Sequence, residues 1–180
     1  MLLFKMEKLM CICIISGYFN PIHPGHVSLI KDVRSTHPDC KLVAIVNSDF
    51  QVRLKESIPF LDEISRCYIL QNIKDVDEVF LSIDKDKTVV KSLEAIKVDV
   101  KNVGYKIFFC NGGDRKPDSS AIPEVKFCTA NGIELEYGFG DEKKYSSSKL
   151  IENSSKYLSQ HKFWRRFGDD LLAELGVKAQ

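Results

Sequence analysis

Leu9-Met10-Cys11-Ile12-Cys13-Ile14-Ile15-Ser16-Gly17-Tyr18-Phe19-Asn20-Pro21-Ile22-His23-Pro24-Gly25-His26 is the stretch that decides how this chain is read. The apolar run Leu9 to Ile15 leads in, and a helix-like segment, Val27 to Arg34, leads out. Two histidines three apart, with Gly25 between them, therefore sit where a buried strand turns into a helix. In an open α/β sheet the crevice at the strand's carboxyl end is where ligands bind. The helix N-terminus offers free backbone N–H groups and a positive dipole end, which suit a phosphate. Gly25 lets backbone approach a ligand closely. Two imidazoles on such a turn can donate hydrogen bonds to a phosphoryl oxygen as its charge grows in a transition state. His-x-x-His alone also fits a metal pair or an accident of the surface. Strand, glycine and helix in that order give the pair its functional reading.

A chain of 180 residues is read as one domain with a substantial core. Apolar residues make up 44% and charged residues 28%, as in an ordinary soluble globular protein. A formal net charge of +1 provides no global field for nucleic acid, so none is expected as a partner. Cys11, Cys13, Cys40, Cys67, Cys110 and Cys128 contain no Cys-x-x-Cys pair. They are read as reduced, partly buried thiols of a cytoplasmic protein, and their spacing argues against a zinc site. Lys5 and Lys8 ahead of an apolar run mimic a signal peptide. Glu7 interrupts the basic region, however, and the run flows straight into the histidine turn, so it is read as a core strand. No stretch approaches the roughly 20 apolar residues of a membrane span, and no membrane partner is expected.

Strands are expected over Met10 to Ser16, Lys41 to Asn47, Glu78 to Ile83, Tyr105 to Cys110 and Ile133 to Tyr137. Near-continuous apolar runs such as Lys41 to Asn47 mark buried parallel strands. Helices are expected over Gly25 to Thr36, stopped by Pro38, and within Phe60 to Ile73. A short one covers Thr88 to Ile96, with Thr88 as its cap. Another has Pro123 in its first turn and ends near Asn131-Gly132. A last helix opens at Ser146. Ser48 to Pro59 and Gly138 to Tyr145 are read as loops, and Val98 to Val103 gives no clear pattern. Strands alternating with helices predict a doubly wound, parallel, five-stranded α/β sheet. The domain is placed at residues 1–160, with a helical tail over residues 161–180.

Further site candidates lie where strands or helices meet loops. Asn111-Gly112-Gly113-Asp114-Arg115 follows strand four and should open onto the crevice edge that holds His23. Asp114 can accept from a hydroxyl and Arg115 can hold a phosphate bidentately, although a plain turn with solvated charges fits as well. Ser146-Ser147-Ser148-Lys149 places three hydroxyls at a helix start. A helix cap needs one of them, and a polyphosphate cradle would use all three. Lys55, on the loop after strand two, could reach phosphate as a mobile point charge, or be a solvated lysine. Arg66 fits a surface salt bridge equally well, and His37 and His161 are read as surface residues.

His23-Pro24-Gly25-His26 resembles the His-x-Gly-His signature of the nucleotidyltransferase superfamily. The similarity runs from Met10 to Ser155. It continues through Asn47-Ser48-Asp49 to Lys55, Arg66, Val76-Asp77-Glu78-Val79, and Asn111 to Arg115 with Ile122-Pro123-Glu124-Val125, and ends at Ser146 to Lys149. The chain is most similar to small cytidylyltransferase-like proteins related to glycerol-3-phosphate cytidylyltransferase and heptose-1-phosphate adenylyltransferase. Asn20-Pro21-Ile22 also resembles the first motif of nicotinamide-mononucleotide adenylyltransferases, which keeps an enzyme of that type as an alternative, although Gly112 to Arg115 favours the cytidylyltransferase-like branch. The second signature departs from the family's Ile-Ser-Ser-Thr or Ser-Thr-Thr, with Tyr145 followed by three serines. Lys143 or Lys144 can stand for the basic residue that often precedes it. Val98 to Tyr105 is longer than the family's usual approach to strand four.

The resemblance implies a Rossmann-like fold and transfer of CMP or AMP from an NTP to a small phosphorylated acceptor, a sugar, polyol or alcohol phosphate. The acceptor phosphate attacks the α-phosphorus and pyrophosphate leaves, with no protein nucleophile. It assigns His23, His26 and Lys55 to catalysis. Gly17, Tyr18, Phe19, Gly25, Gly112, Gly113, Asp114, Arg115, Ser146, Ser147, Ser148 and Lys149 are assigned to nucleotide or acceptor. Mg²⁺ would come with the triphosphate rather than on protein side chains. A homodimer is common in such proteins. Two rivals stand beside this reading: a nucleotide-binding sensor or scaffold without turnover, and an interaction protein acting through its tail. In that tail Trp164, Phe167, Leu171 and Leu175 share a helical face that fits packing on the domain or on a second subunit. His161 to Phe167, basic and aromatic, also fits a membrane or nucleic-acid contact.

Overall fold

A computed structural model describes residues 10–100, 105–112, 122–140 and 146–160. The apolar runs become five parallel strands: β1 Cys11–Gly17, β2 Lys41–Val46, β3 Glu78–Leu81, β4 Lys106–Gly112 and β5 Glu134–Phe139. Their order across the sheet is β3-β2-β1-β4-β5. The first strand is therefore central, and the chain winds outward from it in both directions. Among the described residues six helices intervene or follow: α1 Pro24–Thr36, α2 Asp49–Leu54, α3 Glu63–Gln71, α4 Val90–Val100, α5 Pro123–Ala130 and α6 Ser147–Gln160.

Alternation along each strand divides the core between the two faces of the sheet. Cys13, Ile15, Leu42, Ala44 and Phe108 pack with Ile30 and Val33 of α1 and Cys67 and Leu70 of α3. Ile12, Ile14, Val43, Ile45 and Phe109 pack with Leu93 and Ile96 of α4 and Cys128 of α5. β1 is covered on both faces, with Ile12, Cys13, Ile14 and Ile15 each at most 2% exposed. Full burial of each such aliphatic side chain contributes about 1.5–3 kcal/mol. The doubly wound sheet read from the sequence is thus present, with strand ends within two residues of expectation.

Several local expectations are corrected. The loop expected over Ser48 to Pro59 contains α2, nucleated by a capping box. There the Ser48 hydroxyl accepts from Gln51 N–H (3.3 Å) and the Gln51 side chain accepts from Ser48 N–H (3.0 Å). Asn111 and Gly112 belong to β4, because Gly112 pairs with Phe139 of β5 after a register shift between Cys110 and Gly112. The start of α4 is held mainly by Asp84, whose carboxylate accepts from the N–H groups of Lys91 (2.8 Å) and Ser92 (3.0 Å). Thr88 contributes a longer contact to Val90 N–H (3.4 Å).

The cysteines depart from the reading as six thiols. Cys11 and Cys40 form a disulfide, with Cα atoms 4.7 Å apart. Parallel register explains it, since Ile12 pairs with Lys41 and the preceding rung sets Cys11 beside Cys40. Cys13, Cys67, Cys110 and Cys128 are free and buried. His37 is not a surface residue: its Nε2 lies 2.7 Å from a Glu136 carboxylate oxygen, and its ring rests against Phe108. His161 and the rest of the tail lie outside the described residues. The chain divides into two units, one ending at Lys144 and one beginning at Tyr145. No described helix is long and apolar enough to cross a membrane.

Candidate active site

Gly17 ends β1, and the chain then crosses the carboxyl edge of the sheet before entering α1. Phe19 turns it with φ of 49°, in the left-handed region that costs a non-glycine residue roughly 1–2 kcal/mol. The turn delivers the Phe19 ring into the core, where it is 1% exposed. A Cβ at Gly17 would lie 3.1 Å from that ring, so glycine makes room for it. Asn20 then bridges to the loop after α2. Its amide donates to Ile58 O (2.9 Å), and its side-chain oxygen accepts from Phe60 N–H (2.5 Å).

His23 is the N-cap of α1, with Pro24 at the first helical position, where a missing N–H costs nothing. One turn brings the His26 ring under that of His23, stacked with centroids 3.7 Å apart and planes 19° apart. The other side of His26 meets the Phe19 ring at 4.9 Å. The backbone N–H of His23 donates to His26 Nδ1 (3.3 Å), which leaves the neutral ring's proton on Nε2 and makes Nε2 a donor. Burial, then the neighbouring His23, lowers the His26 pKa to about 3. Burial also lowers that of His23, partly offset by a backbone hydrogen bond. The pair is thus a set of neutral donors at physiological pH, not a standing positive charge.

Arg66 of α3 organises the surrounding backbone. It is 1% exposed. Its guanidinium donates to Tyr18 O (2.6 Å), Asn47 O (2.7 Å), Leu61 O (3.1 Å) and the Asp49 carboxylate (2.7 Å). It ties together the ends of β1 and β2 and the start of α2, and is no surface salt bridge. Gln51, fully buried, likewise joins Asn47 (3.1 Å) to the backbone of Asp86 (2.8 Å) and Thr88 (2.6 Å). The sequence carried a signal for Gln51 in Ser48-x-x-Gln51, and a weaker one for Asn20 in Phe-Asn-Pro.

Of the expected site residues, the structure brings together Gly17, Tyr18, Phe19, His23, Gly25 and His26. Lys55 joins them, its ammonium 4.7 Å from the centroid of the Tyr18 ring. Phe19 can offer only backbone to a ligand, because its ring is buried. Gly112 ends β4 on the same edge of the sheet as Gly17, while Gly113, Asp114 and Arg115 lie outside the described residues. Ser146 to Lys149 form the start of α6 in the second unit, where Leu150 N–H donates to Ser146 O (3.0 Å). Beside His23 opens a groove of about 630 Å³, within the size range of small-molecule sites. Ile22, Val27, Ile69 and Ile73 give it apolar walls, and Lys31 a positive charge.

The cytidylyltransferase-like family profile matches residues 14–153, which span the histidine turn, the sheet and the start of α6. The chain belongs to the cytidylyltransferase-like family. Among relatives, it is 34% identical over 90 residues to an FAD synthase of Methanothermus fervidus, covering 49% of this chain and 61% of that one. An FAD synthase of Methanosphaera stadtmanae is 30% identical over 143 residues, 76% of this chain and 87% of its own length. The chain spans 61% of the length of the FAD synthases of Methanothermus fervidus and Korarchaeum cryptofilum that it matches. Among solved structures, a lipopolysaccharide core biosynthesis protein of Thermoplasma volcanium superposes with a TM-score of 0.56 at 22% identity, covering 74% of this chain and 99% of that one. That likeness bears on the fold alone.

Proposed function

We propose that this family member is a nucleotidyltransferase that transfers AMP from ATP to the phosphate of a small acceptor, with FMN the acceptor to test first. The stacked, neutral His23–His26 pair on the strand-to-helix turn carries the reading. An acceptor phosphate oxygen attacks the α-phosphorus, the bond to the bridging oxygen breaks, and pyrophosphate leaves. Charge builds on the α-phosphoryl and bridging oxygens, and imidazole N–H donors fixed beforehand stabilise it without reorganisation. Lys55 adds a mobile positive charge. Gly17, Tyr18 and Phe19 lie along the nucleotide through their backbone. Ser146, Ser147, Ser148 and Lys149 face the β and γ phosphates, while Gly112, Gly113, Asp114 and Arg115 border the nucleoside or acceptor. Mg²⁺ travels with the triphosphate, held by phosphate oxygens and water.

The FAD synthase relatives support FMN over the sugar, polyol or alcohol phosphates that the motif resemblance implies. The groove beside His23 supports it too: apolar walls suit a flat aromatic ring system, and Lys31 suits its phosphate. The test is pyrophosphate release with Mg²⁺ and ATP or CTP. FMN is run beside glycerol 3-phosphate, heptose 1-phosphate and nicotinamide mononucleotide. Release with ATP and FMN, lost in His26→Ala, is the expected result. Release with another acceptor would keep the reaction and replace the substrate. ATP binding without release from any acceptor would leave the nucleotide-binding scaffold.

A further inference from the structure

The α1 face of the sheet holds a second concentration of chemistry, away from the strand ends. Cys13 of β1, Cys110 of β4 and His37 at the end of α1 bring one ligand atom each to within 4.8 Å of one another. Among the described residues this is the group of three or more His, Cys, Asp and Glu side chains close enough to share an ion. Cys13 is 1% exposed and Cys110 2%.

We infer that Cys13, His37 and Cys110 form a binding site for a zinc-type divalent cation, with Glu136 orienting the imidazole. The donor set is the first reason. Two thiolates and an imidazole are the ligands zinc prefers, and magnesium or calcium would require oxygen. Tetrahedral zinc places such atoms roughly 3.3–3.8 Å apart, so about an ångström of side-chain adjustment closes the site.

Charge is the second reason. Two thiolates balance one divalent cation, so the filled centre is neutral where an unbalanced charge would be costly. The third is the outer support. The Glu136 carboxylate lies 2.7 Å from His37 Nε2 and 3.9 Å from Cys110 Sγ, and Glu136 pairs with Cys110 in the β4–β5 register. A carboxylate on the imidazole is the usual partner of a metal-bound histidine. His37 is fixed from the backbone side as well. Its N–H donates to Val33 O (2.9 Å), and its carbonyl accepts from Cys40 N–H (3.2 Å).

Linear spacing conceals the site because its ligands come from three separate elements, with no Cys-x-x-Cys among them. Filled, it pins the C-terminal end of α1 to β1 and β4. The opposite end of α1 presents His23 and His26. The inference stands whether or not the chain transfers nucleotides, since its test reads metal binding directly.

The protein, stripped of metal and kept reduced, is titrated with Co²⁺ and then with Zn²⁺. The expected result is one ion per chain, a thiolate-to-cobalt charge-transfer band with the visible bands of tetrahedral cobalt, and their loss when Zn²⁺ displaces Co²⁺. Glu136→Gln should weaken Co²⁺ binding about 10–100-fold. Cys13→Ser, Cys110→Ser and His37→Ala should each weaken it further, with circular dichroism confirming that they fold. Cys67→Ser and Cys128→Ser should leave the spectrum unchanged. Wild-type protein that shows no charge-transfer band overturns the inference without any variant. So does a band that survives in the Cys13→Ser/Cys110→Ser double variant, or a Cys13–Cys110 disulfide in place of bound metal.

Discussion

His26 is held by a ring on each side and a backbone N–H on its Nδ1, so its Nε2–H is aimed before any ligand arrives. Preorganisation of this kind is what a donor to developing charge requires. His26→Ala should lower kcat about a hundredfold, the usual loss for one such donor, with the nucleotide KM little changed. Wild-type turnover in that variant would remove the role. The same burial has a thermodynamic consequence. The folded pKa of about 3 lies below the 6.5 of an ordinary histidine, so the unfolded chain takes up a proton that the folded chain refuses. Stability is therefore complete above about pH 6.5 and falls as pH drops from there toward 3. His26→Asn should flatten this fall in urea titrations across that window. An identical pH dependence in wild type and variant would mean that the ring titrates as freely folded as unfolded.

At the scale of elements, legibility followed the range of the forces involved. Continuous apolar runs placed β1, β2 and β4 to within two residues, because burial on both faces leaves its mark in local composition. α2 went unread since its six residues alternate polar with apolar (Asp49, Gln51 and Arg53 between Phe50, Val52 and Leu54) and so carry no helical stripe, although Ser48-x-x-Gln51 marked its start. The partners of Arg66 and His37 could not be read. Arg66 bonds Tyr18 O across 48 positions and His37 meets Glu136 across 99, and no local pattern encodes such partners. The Arg66 network should show itself in stability. Removing the side chain in Arg66→Ala leaves the Asp49 carboxylate without its buried counter-charge and three carbonyls without a donor. A loss of about 3–5 kcal/mol in urea denaturation is expected. Arg66→Lys should recover only part of it, because an ammonium cannot span four acceptors in a plane. For α6, Ser147→Ala with Ser148→Ala should raise the nucleotide KM while far-ultraviolet circular dichroism stays unchanged. Unaltered ATP binding would leave those hydroxyls without a part in holding the nucleotide.

The molecule as a whole is wound outward from β1, and the Cys11–Cys40 bridge ties the beginning of that central strand to the beginning of its neighbour. Cross-linking residues separated by 29 positions removes conformations from the unfolded chain, worth about 3–4 kcal/mol in the chain-entropy account. For a chain of this size each kcal/mol moves the melting temperature about 2–4 °C. Reductant should therefore lower Tm by about 10 °C, and the Cys11→Ser/Cys40→Ser variant should melt at the reduced value with or without it. The comparison also bears on where the protein works, because such a bridge persists in an oxidising compartment and is removed by the thiol pools of a cytosol. In the oxidised protein, alkylation after denaturation should find four of the six cysteines. A Tm indifferent to reductant, together with six reactive thiols after denaturation, would show the pair reduced, with β1 and β2 held at that end by their hydrogen-bond ladder and core packing.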